Sequence, residues 1–282
     1  MSTIGVILDQ VARIPPMPQA RVRLLFLTME PDFDIDEVVK VVLTDPGITA
    51  HVLRHVNSVR RGLLRKVATV QEAIPHLGAR ELRILILANC CGRYFRYLDG
   101  GYELVREGLW HHSVGCAFAS QSLAESTARV SPELAFSAGL LHDLGKIALN
   151  EALKAHLEQI TDYAGGQSVS FLEAEKMIIG FDHGEAGGIL GTRWQLPRRL
   201  ITVMRHHHAP SAAPSHQELV DTIHIADLLA YSAGVGLGID GLSYRLDEQA
   251  VARQGISEAH MALARLAVVE GVRETSEMLK AG

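Results

Sequence analysis

The stretch SPELAFSAGLLHDLGK, residues 131–146, decides how this chain folds. Ser131 followed by Pro132 is a typical helix start, because a serine oxygen caps the first turn and proline fits its geometry. The apolar residues that follow carry the helix to His142 and Asp143, which are two potential metal ligands. The function of this pair depends on what the rest of the chain supplies.

The composition is that of a globular protein. Of 282 residues, 48% are hydrophobic and 21% are charged, and the net charge is -5. This charge, without a strong Lys/Arg cluster, argues against direct nucleic-acid binding. The N-terminal residues do not have the pattern of a signal peptide, and no apolar run approaches the roughly 18 residues of a membrane span. We therefore expect a cytoplasmic protein without membrane partners.

Three cysteines, Cys90, Cys91 and Cys116, are expected to be buried thiols. Their odd number and the adjacency of two of them do not suit a disulfide framework, and they fit a reducing compartment.

Helix start and stop signals recur throughout the N-terminal part of the chain. Asp34 is placed to cap one helix, and Asp45 followed by Pro46 ends it. A capping-box pattern at residues 69–72 opens another helix, which Gly78 can close. The apolar segment 82–87 is expected to form a buried helix, with a β-strand as the alternative.

The second part of the chain also has helical patterns, and the glycines near residue 100 mark the best internal break. The sequence predicts an all-α protein, in which a smaller N-terminal helical lobe (residues 1–100) packs on a second helical lobe (residues 101–282). Helices of the second lobe are expected at residues 109–128, 171–179, 184–194, 199–208, 217–232 and 257–266.

Fourteen histidines are present, and seven of them fall in four groups. These are His111 with His112, then His142, then His183, then His206 with His207 and His208. Asp143 and Asp227 add carboxylates. Imidazole and carboxylate together suit Zn, Fe, Mn or Ni, and such an ion can activate water and neutralise phosphate charge. The other seven histidines are expected to be structural: His51, His55, His76, His156, His216, His224 and His260.

Two further residues of this region have competing interpretations. Lys146 lies close enough to His142 to contact a substrate phosphate, but a lysine at a helix end also interacts with the helix dipole. Glu185 is interpreted as an acid in the first turn of a helix rather than as a general base.

The ordered set His112, His142, Asp143, His183, His207 and Asp227 resembles the HD superfamily of metal-dependent phosphohydrolases. Other motifs narrow the resemblance to the HDOD family, the HD-related output domain. In the first half these are IPPMP (14–18), DP (45–46), VL (52–53), NS (57–58), EAI (72–74) and LG (77–78). In the second half they are LWHHS (109–113), LLHDLGK (140–146), HGEAG (183–187), LP (196–197), HHAP (207–210) and IADLL (225–229).

The resemblance implies an all-α, HD-like bundle in a bacterial signal-transduction protein. It implies a signalling partner from a two-component or cyclic-dinucleotide pathway, and it leaves a homo-oligomer open. The implied ligands of a divalent ion (Fe, Mn, Zn, Ni or Mg) are His112, His142, Asp143, His183, His207, His208 and Asp227, with His111 nearby. If the chain is an enzyme, Asp143 and Lys146 are the expected catalytic residues.

Two hypotheses remain at the level of the sequence. In the first, the chain is a regulatory module without catalysis, which is the usual behaviour of the HDOD family. In the second, the retained ligands serve a metal-dependent phosphohydrolase that acts on a nucleotide or phosphoester. The sequence differs from the related HD-GYP phosphodiesterases, because Ala209, Pro210 and Ser211 follow His208 where those enzymes have a Glu and later a Gly-Tyr-Pro motif. Hydrolysis of cyclic di-GMP is therefore not expected.

Overall fold

The fold is all-α. A computed structural model describes residues 3–58, 65–95, 108–167, 169–235 and 245–281, and across these ranges every regular element is a helix. The prediction of an all-α protein is thus confirmed. Over the same ranges, no helix combines the length and the apolar character that a membrane crossing would require.

Five helices form the first part of the structure: Thr3–Arg13 (α1), Gln19–Thr28 (α2), Ile35–Val42 (α3), Pro46–Val56 (α4) and Val70–Phe95 (α5). Their starts follow the signals in the sequence. The carboxylate of Asp34 accepts hydrogen bonds from the N–H groups of Asp36 and Glu37 at the start of α3. Asp45 follows the end of α3 and caps α4 through the N–H groups of Gly47 and Ile48.

Helix α5 contains the predicted break. The hydroxyl of Thr69 accepts a hydrogen bond from the N–H of Glu72, and Gly78 departs from helical geometry with φ 72° and ψ 166°. A side chain is strained at this φ, so glycine is suited to the position. The segment 82–87 beyond the break is a buried helix, and the β-strand alternative is wrong.

The remaining helices form the second part: Gly108–Thr127 (α6), Pro132–Leu141 (α7), Gly145–Gln167 (α8), Phe171–Ile178 (α9), His183–Arg193 (α10), Arg198–His206 (α11), Gln217–Ser232 (α12), Glu248–Gln254 (α13) and Glu258–Ala281 (α14). Helix α6 is central and contacts α7, α12 and α14, and α10 contacts both α8 and α11. The last helix extends well beyond the predicted end at residue 266.

Helices α8 and α10 approach each other closely at Gly145. A Cβ atom at this position would overlap the backbone carbonyl oxygen of His183. The absence of a side chain therefore lets the start of α8 lie directly against the start of α10. As a result, the turn that carries Asp143 is brought next to His183.

The first helices also contact the second part of the structure. Helix α1 packs against α8 and α10, and the guanidinium of Arg193 donates hydrogen bonds to the carbonyl oxygens of Val11 and Ile14. On the surface, Arg80 forms an ion pair with Glu274 at 2.7 Å. The predicted break near residue 100 lies outside the described residues, so the division into lobes 1–100 and 101–282 stays a prediction.

Candidate metal centre

Seven imidazole and carboxylate side chains converge between the helices of the second part. Their ligand atoms fall into two groups, and within each group they lie within 4.8 Å of one another. The first group is Asp143, His183, His207 and His208, and the second is His112, His142 and Asp227. These are the residues that the sequence singled out as ligands. Helix ends supply several of them, since His142 caps α7, His183 begins α10 and His207 caps α11.

Asp143 belongs to the first group and also faces the second. It presents a different carboxylate oxygen to each group. Its Oδ1 is 3.5 Å from Nε2 of His183 and 3.4 Å from Nε2 of His207. Its Oδ2 is 3.3 Å from Nε2 of His142 and 3.7 Å from Nε2 of His112. The neighbouring residues His142 and Asp143 both reach the centre because they lie at the turn between α7 and α8.

Asp227 provides the carboxylate of the second group from the middle of α12. Its Oδ1 accepts a hydrogen bond of 2.8 Å from Nε2 of His112, and it lies 3.5 Å from Nε2 of His142. The ring of His112 also stacks on Tyr231, with 4.1 Å between ring centroids. The other oxygen of Asp227 lies 3.7 Å from Nδ1 of His208, so this carboxylate also borders both groups.

Backbone hydrogen bonds fix the orientation of two histidines. Nδ1 of His142 donates to the carbonyl oxygen of Gly139 at 2.7 Å, and Nδ1 of His207 donates to that of Met204 at 3.1 Å. Because the Nδ1 proton of each ring is directed to the backbone, each Nε2 faces the centre. Both Nε2 atoms are buried without a hydrogen-bond partner.

Glu175 on α9 orients His183 in the same way, although it is not among the residues predicted from the sequence. Its carboxylate is fully buried and accepts hydrogen bonds from the backbone N–H and from Nδ1 of His183, at 3.2 and 2.9 Å. The signal was present in the sequence, because Glu175 shares the buried face of α9 with Phe171 and Ala174. An acid on the apolar face of a helix indicates a buried partner.

Lys146 is buried in the first turn of α8. Its ammonium forms an ion pair of 2.7 Å with Oδ2 of Asp143 and donates a hydrogen bond of 3.1 Å to the hydroxyl of Tyr231. A lysine at the N-terminal end of a helix is opposed by the helix dipole. The interpretation of Lys146 as a lysine that interacts favourably with the helix dipole is therefore wrong. Its ammonium interacts with the carboxylate of Asp143 instead.

The two carboxylates are held in their charged form. Burial acts to raise the pKa of Asp143, but the charges of His142 and Lys146 hold it well below its usual value. Burial likewise acts to raise the pKa of Asp227, but the hydrogen bond from His112 and the nearby charge of His142 hold it well below its usual value. Two anions are therefore present at the centre across the neutral pH range.

The histidines divide into two classes. Burial acts to lower the pKa of His142 and His183, but Asp143 raises the first well above its usual value and Glu175 raises the second. Burial lowers the pKa of His207, and burial together with the neighbouring imidazoles holds that of His208 well below its usual value. The latter two rings are thus uncharged at neutral pH.

Other histidines lie outside the two groups. His55 pairs with Glu81 at 2.6 Å in the N-terminal helices. His224 donates to the backbone carbonyl oxygen of His207 at 2.7 Å and accepts from the N–H of Asp247 at 2.9 Å, so it supports a member of the first group. Glu185 forms a capping box with Asp182 at the start of α10, in agreement with its interpretation as a first-turn acid.

These side chains fit a divalent cation. Nε2 of His142, Nε2 of His207, Oδ1 of Asp143 and Oδ2 of Asp227 are all buried without a hydrogen-bond partner. Leaving such buried polar atoms without a partner is costly, and a cation bound between them removes that cost. A set rich in imidazole, with carboxylates of depressed pKa, has the chemistry of a transition-metal or zinc site.

Comparison with known proteins agrees with this arrangement of helices. An uncharacterized protein of Treponema pallidum (strain Nichols) is 25% identical over 224 residues, which are 79% of this chain. The matched part is 43% of the length of that relative, so the chain spans less than half of it.

Two solved structures share the fold. An HDOD domain protein with unknown function from Geobacter sulfurreducens has a TM-score of 0.70 and 24% identity, with 98% of each chain covered. A candidate signal transduction protein from Marinobacter aquaeolei VT8 has a TM-score of 0.75 and 19% identity, with 99% of this chain and 64% of the other covered. The family profile of the HDOD domain matches residues 14–210. This chain therefore belongs to the HDOD family.

Proposed function

We propose that this chain is a regulatory module of bacterial signal transduction, which is built around a divalent-metal centre and acts through a protein partner. The observation that carries the proposal is the burial of a complete ligand set. Asp143, His142, His183, His207 and Asp227 are each at most 1% exposed, yet four of their ligand atoms have no hydrogen-bond partner. Such a set stabilises the fold when it holds an ion, without needing contact with a substrate.

The residues that would hold the ion are the members of the two groups, with Asp143 facing both. Imidazole donors favour Zn, Fe, Mn or Ni over Mg, which prefers oxygen ligands and retains water. When bound, such an ion acts as a Lewis acid and lowers the pKa of a coordinated water. Glu175 and the backbone carbonyl of Gly139 orient His183 and His142 for this role, as outer-shell partners do in metal proteins.

The closed centre favours regulation over catalysis. A lysine that binds a substrate phosphate must reach the substrate, but Lys146 is 1% exposed and its ammonium contacts Asp143 and Tyr231. A buried centre supports a role in which metal binding sets the stability or shape of the helical lobe that a partner recognises. The partner itself is inferred from membership of the HDOD family.

A phosphohydrolase is the second candidate, and one observation favours it. Asp143 faces the two ligand groups with separate oxygens, an arrangement that suits the chemistry of a metal-assisted phosphoester hydrolase. In that case Asp143 would hold the metal, and Lys146 would leave Asp143 to bind the phosphate. The helices around the centre would first have to open, because the ligands are buried.

Metal analysis followed by a hydrolysis screen tests both candidates. We expect purified protein to contain a divalent metal, and chelation to lower the melting temperature until the metal is restored. The restored protein is then offered nucleotides and a p-nitrophenyl phosphodiester. Metal-dependent stability without turnover supports the regulatory module, whereas turnover that is lost in Asp143→Ala supports the phosphohydrolase. A protein that neither contains metal nor responds to divalent ions contradicts the metal centre.

A further inference from the structure

The last helix, α14, carries an exposed apolar surface. Leu263, Leu266 and Val269 are 55%, 55% and 53% exposed. None of the other described helices contains more than one exposed large hydrophobic residue. Single apolar residues are common on protein surfaces, whereas a contiguous group of them indicates an interaction site. This group therefore requires an explanation that the scattered ones do not.

The opposite face of α14 packs against its own chain. Ala264, Val268 and Thr275 are at most 2% exposed, and the helix contacts α6, α12 and α4. On the same face, Gly271 lies against the ring of Phe118. Because successive residues advance by about 100° around a helix, the exposed apolar residues lie about half a turn away from this packed face. The helix thus has one face in the core and an apolar face directed outward.

The spacing of the outward face is that of a pairing helix. Ala259 and Ala262 are also exposed on it. With Leu266 and Val269 they recur at intervals of three, four and three residues, which is the spacing of the a and d positions of a two-stranded coiled coil. Arg273 occupies the next position of the repeat, where two like charges would meet. The apolar seam, residues 259–269, therefore ends before this arginine.

Opposite charges border the two sides of the seam. Arg265 lies along one edge and Glu270 along the other. Glu125 at the end of α6 adds to the acidic edge, because it lines the same groove as Leu263, Leu266 and Glu270. In a parallel pair of helices the basic edge of one copy meets the acidic edge of the other, at positions five residues apart. In an antiparallel pair the two acidic edges would meet and repel.

From the seam and its charged edges we infer that α14 pairs with α14 of a second copy of this chain, in parallel orientation about a two-fold axis. Leu266 packs against Leu266 of the partner subunit, and Arg265 forms an ion pair with Glu270 of the partner subunit. The inference goes beyond the proposed function, since the surface contains no metal ligand. A seam of three turns buries less than about 1,200 Å², which is the range of weak and reversible complexes. The dimer therefore forms and dissociates with concentration.

Sedimentation of the full chain at increasing concentration tests the inference. We expect the average mass to rise from that of the 30.7 kDa monomer toward twice that value as the concentration increases from about 5 to 500 µM. Leu266→Glu places two carboxylates in the seam, so it should weaken the dimer by at least about 100-fold and leave a monomer. Met177→Glu is the matched control, because it changes a 63% exposed residue of α9, and it should dimerise like the wild type. Both replaced side chains are exposed, so melting temperatures should equal that of the wild type.

Further variants test the orientation of the two helices. Arg265→Glu should weaken the dimer by about tenfold, and the added change Glu270→Arg should restore it. Ala262→Cys should form a disulfide between subunits on mild oxidation, because parallel pairing places position 262 of both copies side by side. In an antiparallel pair that aligns Leu266 with Val269 of the partner subunit, these positions would lie roughly 16 Å apart. The three native thiols are buried and should not form this cross-link.

Each outcome decides a separate point. A chain that stays monomeric at the highest concentration, or a Leu266→Glu variant that still dimerises, would overturn the inference. Loss of the dimer in Met177→Glu would place the contact on another surface and would overturn it equally. A dimer without the cross-link in Ala262→Cys and without restoration in the charge-exchanged variant would overturn the parallel orientation. These measurements do not involve metal content, so failure of the dimer is distinguishable from failure of the metal centre.

Discussion

Two regions of this molecule bury charged side chains, and they satisfy them in different ways. In the N-terminal helices, half-buried Arg21 and buried Arg83 meet acceptors of the protein itself. Arg21 donates to the carboxylate of Asp45 and to the carbonyl oxygen of Asn89, both at 2.7 Å. Arg83 donates to the carbonyl oxygen of Thr28 at 2.7 Å. These groups join helices α2, α4 and α5 and complete the packing.

In the second region, imidazole nitrogens and carboxylate oxygens instead face one another at distances of 3.3–3.7 Å. Four ligand atoms of the centre have no hydrogen-bond partner, although the side chains that carry them are almost completely buried. Burial of charge is therefore not in itself evidence of a site. Buried imidazole and carboxylate atoms that face one another without hydrogen-bond partners are the feature that separates a candidate metal centre from a structural ion pair.

The largest effect is expected from removing the carboxylate of Asp143 in the second region. Asp143→Ala should reduce metal content to background, because it deletes the ligand that faces both groups. In the metal-free protein it should also lower the free energy of unfolding by about 3–5 kcal/mol, since buried partners lose their counter-charge. Metal analysis and urea unfolding measure both effects.

Asp45→Ala is the control from the N-terminal helices. It removes a helix cap and the partner of Arg21, for which we expect a loss of about 1–3 kcal/mol. Its metal content should equal that of the wild type. If Asp143→Ala keeps its metal, the distinction between the two regions fails.

A glycine tests whether the centre depends on the close approach of two helices. Gly145→Ala should lower the free energy of unfolding by about 3 kcal/mol, because the new methyl group overlaps the backbone of His183. It should also weaken metal binding, because it displaces α8 from α10. Gly165→Ala in the same helix meets no atom within 4 Å and should raise stability by about 0.5–1 kcal/mol. Equal effects of the two changes in urea unfolding would contradict the packing argument.

The pH dependence of stability should have opposite signs with and without metal. Asp143 and Glu175 raise the pKa of His142 and His183 above their usual values. In the metal-free protein, these ion pairs stabilise the fold below the unfolded histidine pKa of about 6.5 and are lost as pH rises through the raised values. Metal binding displaces the same protons, so affinity should rise by about tenfold per pH unit for each proton displaced.

Melting temperatures with and without metal between pH 6 and 8 test this expectation. The difference between the two curves should widen as pH rises. A difference that is constant over this range would show that protons and metal do not compete for these histidines. The N-terminal ion pair of Arg21 and Asp45 should contribute equally to both curves.

The smallest effect on metal binding is expected from replacing Glu175, the carboxylate that orients His183. Glu175→Gln keeps the shape of the side chain but removes its charge, and we expect metal affinity to fall by about 10–100-fold, as for other outer-shell partners. Glu173→Gln on the same helix changes only a capping contact with Ser170 and should leave affinity unchanged. Competition with a chelating dye measures both affinities. Equal affinities in the two variants would show that Glu175 has only a structural role.

The sequence predicted helices where local signals are strong. Asp34, Asp45 and Gly78 act as expected, and the helix predicted at residues 217–232 has the observed bounds. The last helix was predicted too short. Its continuation depends on tertiary contacts, since Gly271 lies against the ring of Phe118, and a lone glycine in the sequence does not show whether it ends a helix or packs against one.

The ligands were predictable only as a set, and their partners were not. The order of the histidines and aspartates indicated a common site, but adjacent residues such as His206, His207 and His208 have no local feature that selects one of them. Glu175 was missed because its neighbours Glu173 and Lys176 give α9 the composition of a surface helix. The role of Lys146 depends on Asp143 and Tyr231, and Tyr231 is 85 residues away along the chain.

The spacing of the ligands along the chain has a consequence for the order of events during synthesis. His112 and Asp227, which are joined by a hydrogen bond, are separated by 115 residues. A ribosome adds about 5–20 residues each second, so several seconds pass between the two. Contacts over such separations form late in folding. An ion bound at the proposed centre would therefore meet its full set of ligands only after α12 has been made and has docked. Its binding would be a final step that reports completed folding of the second region.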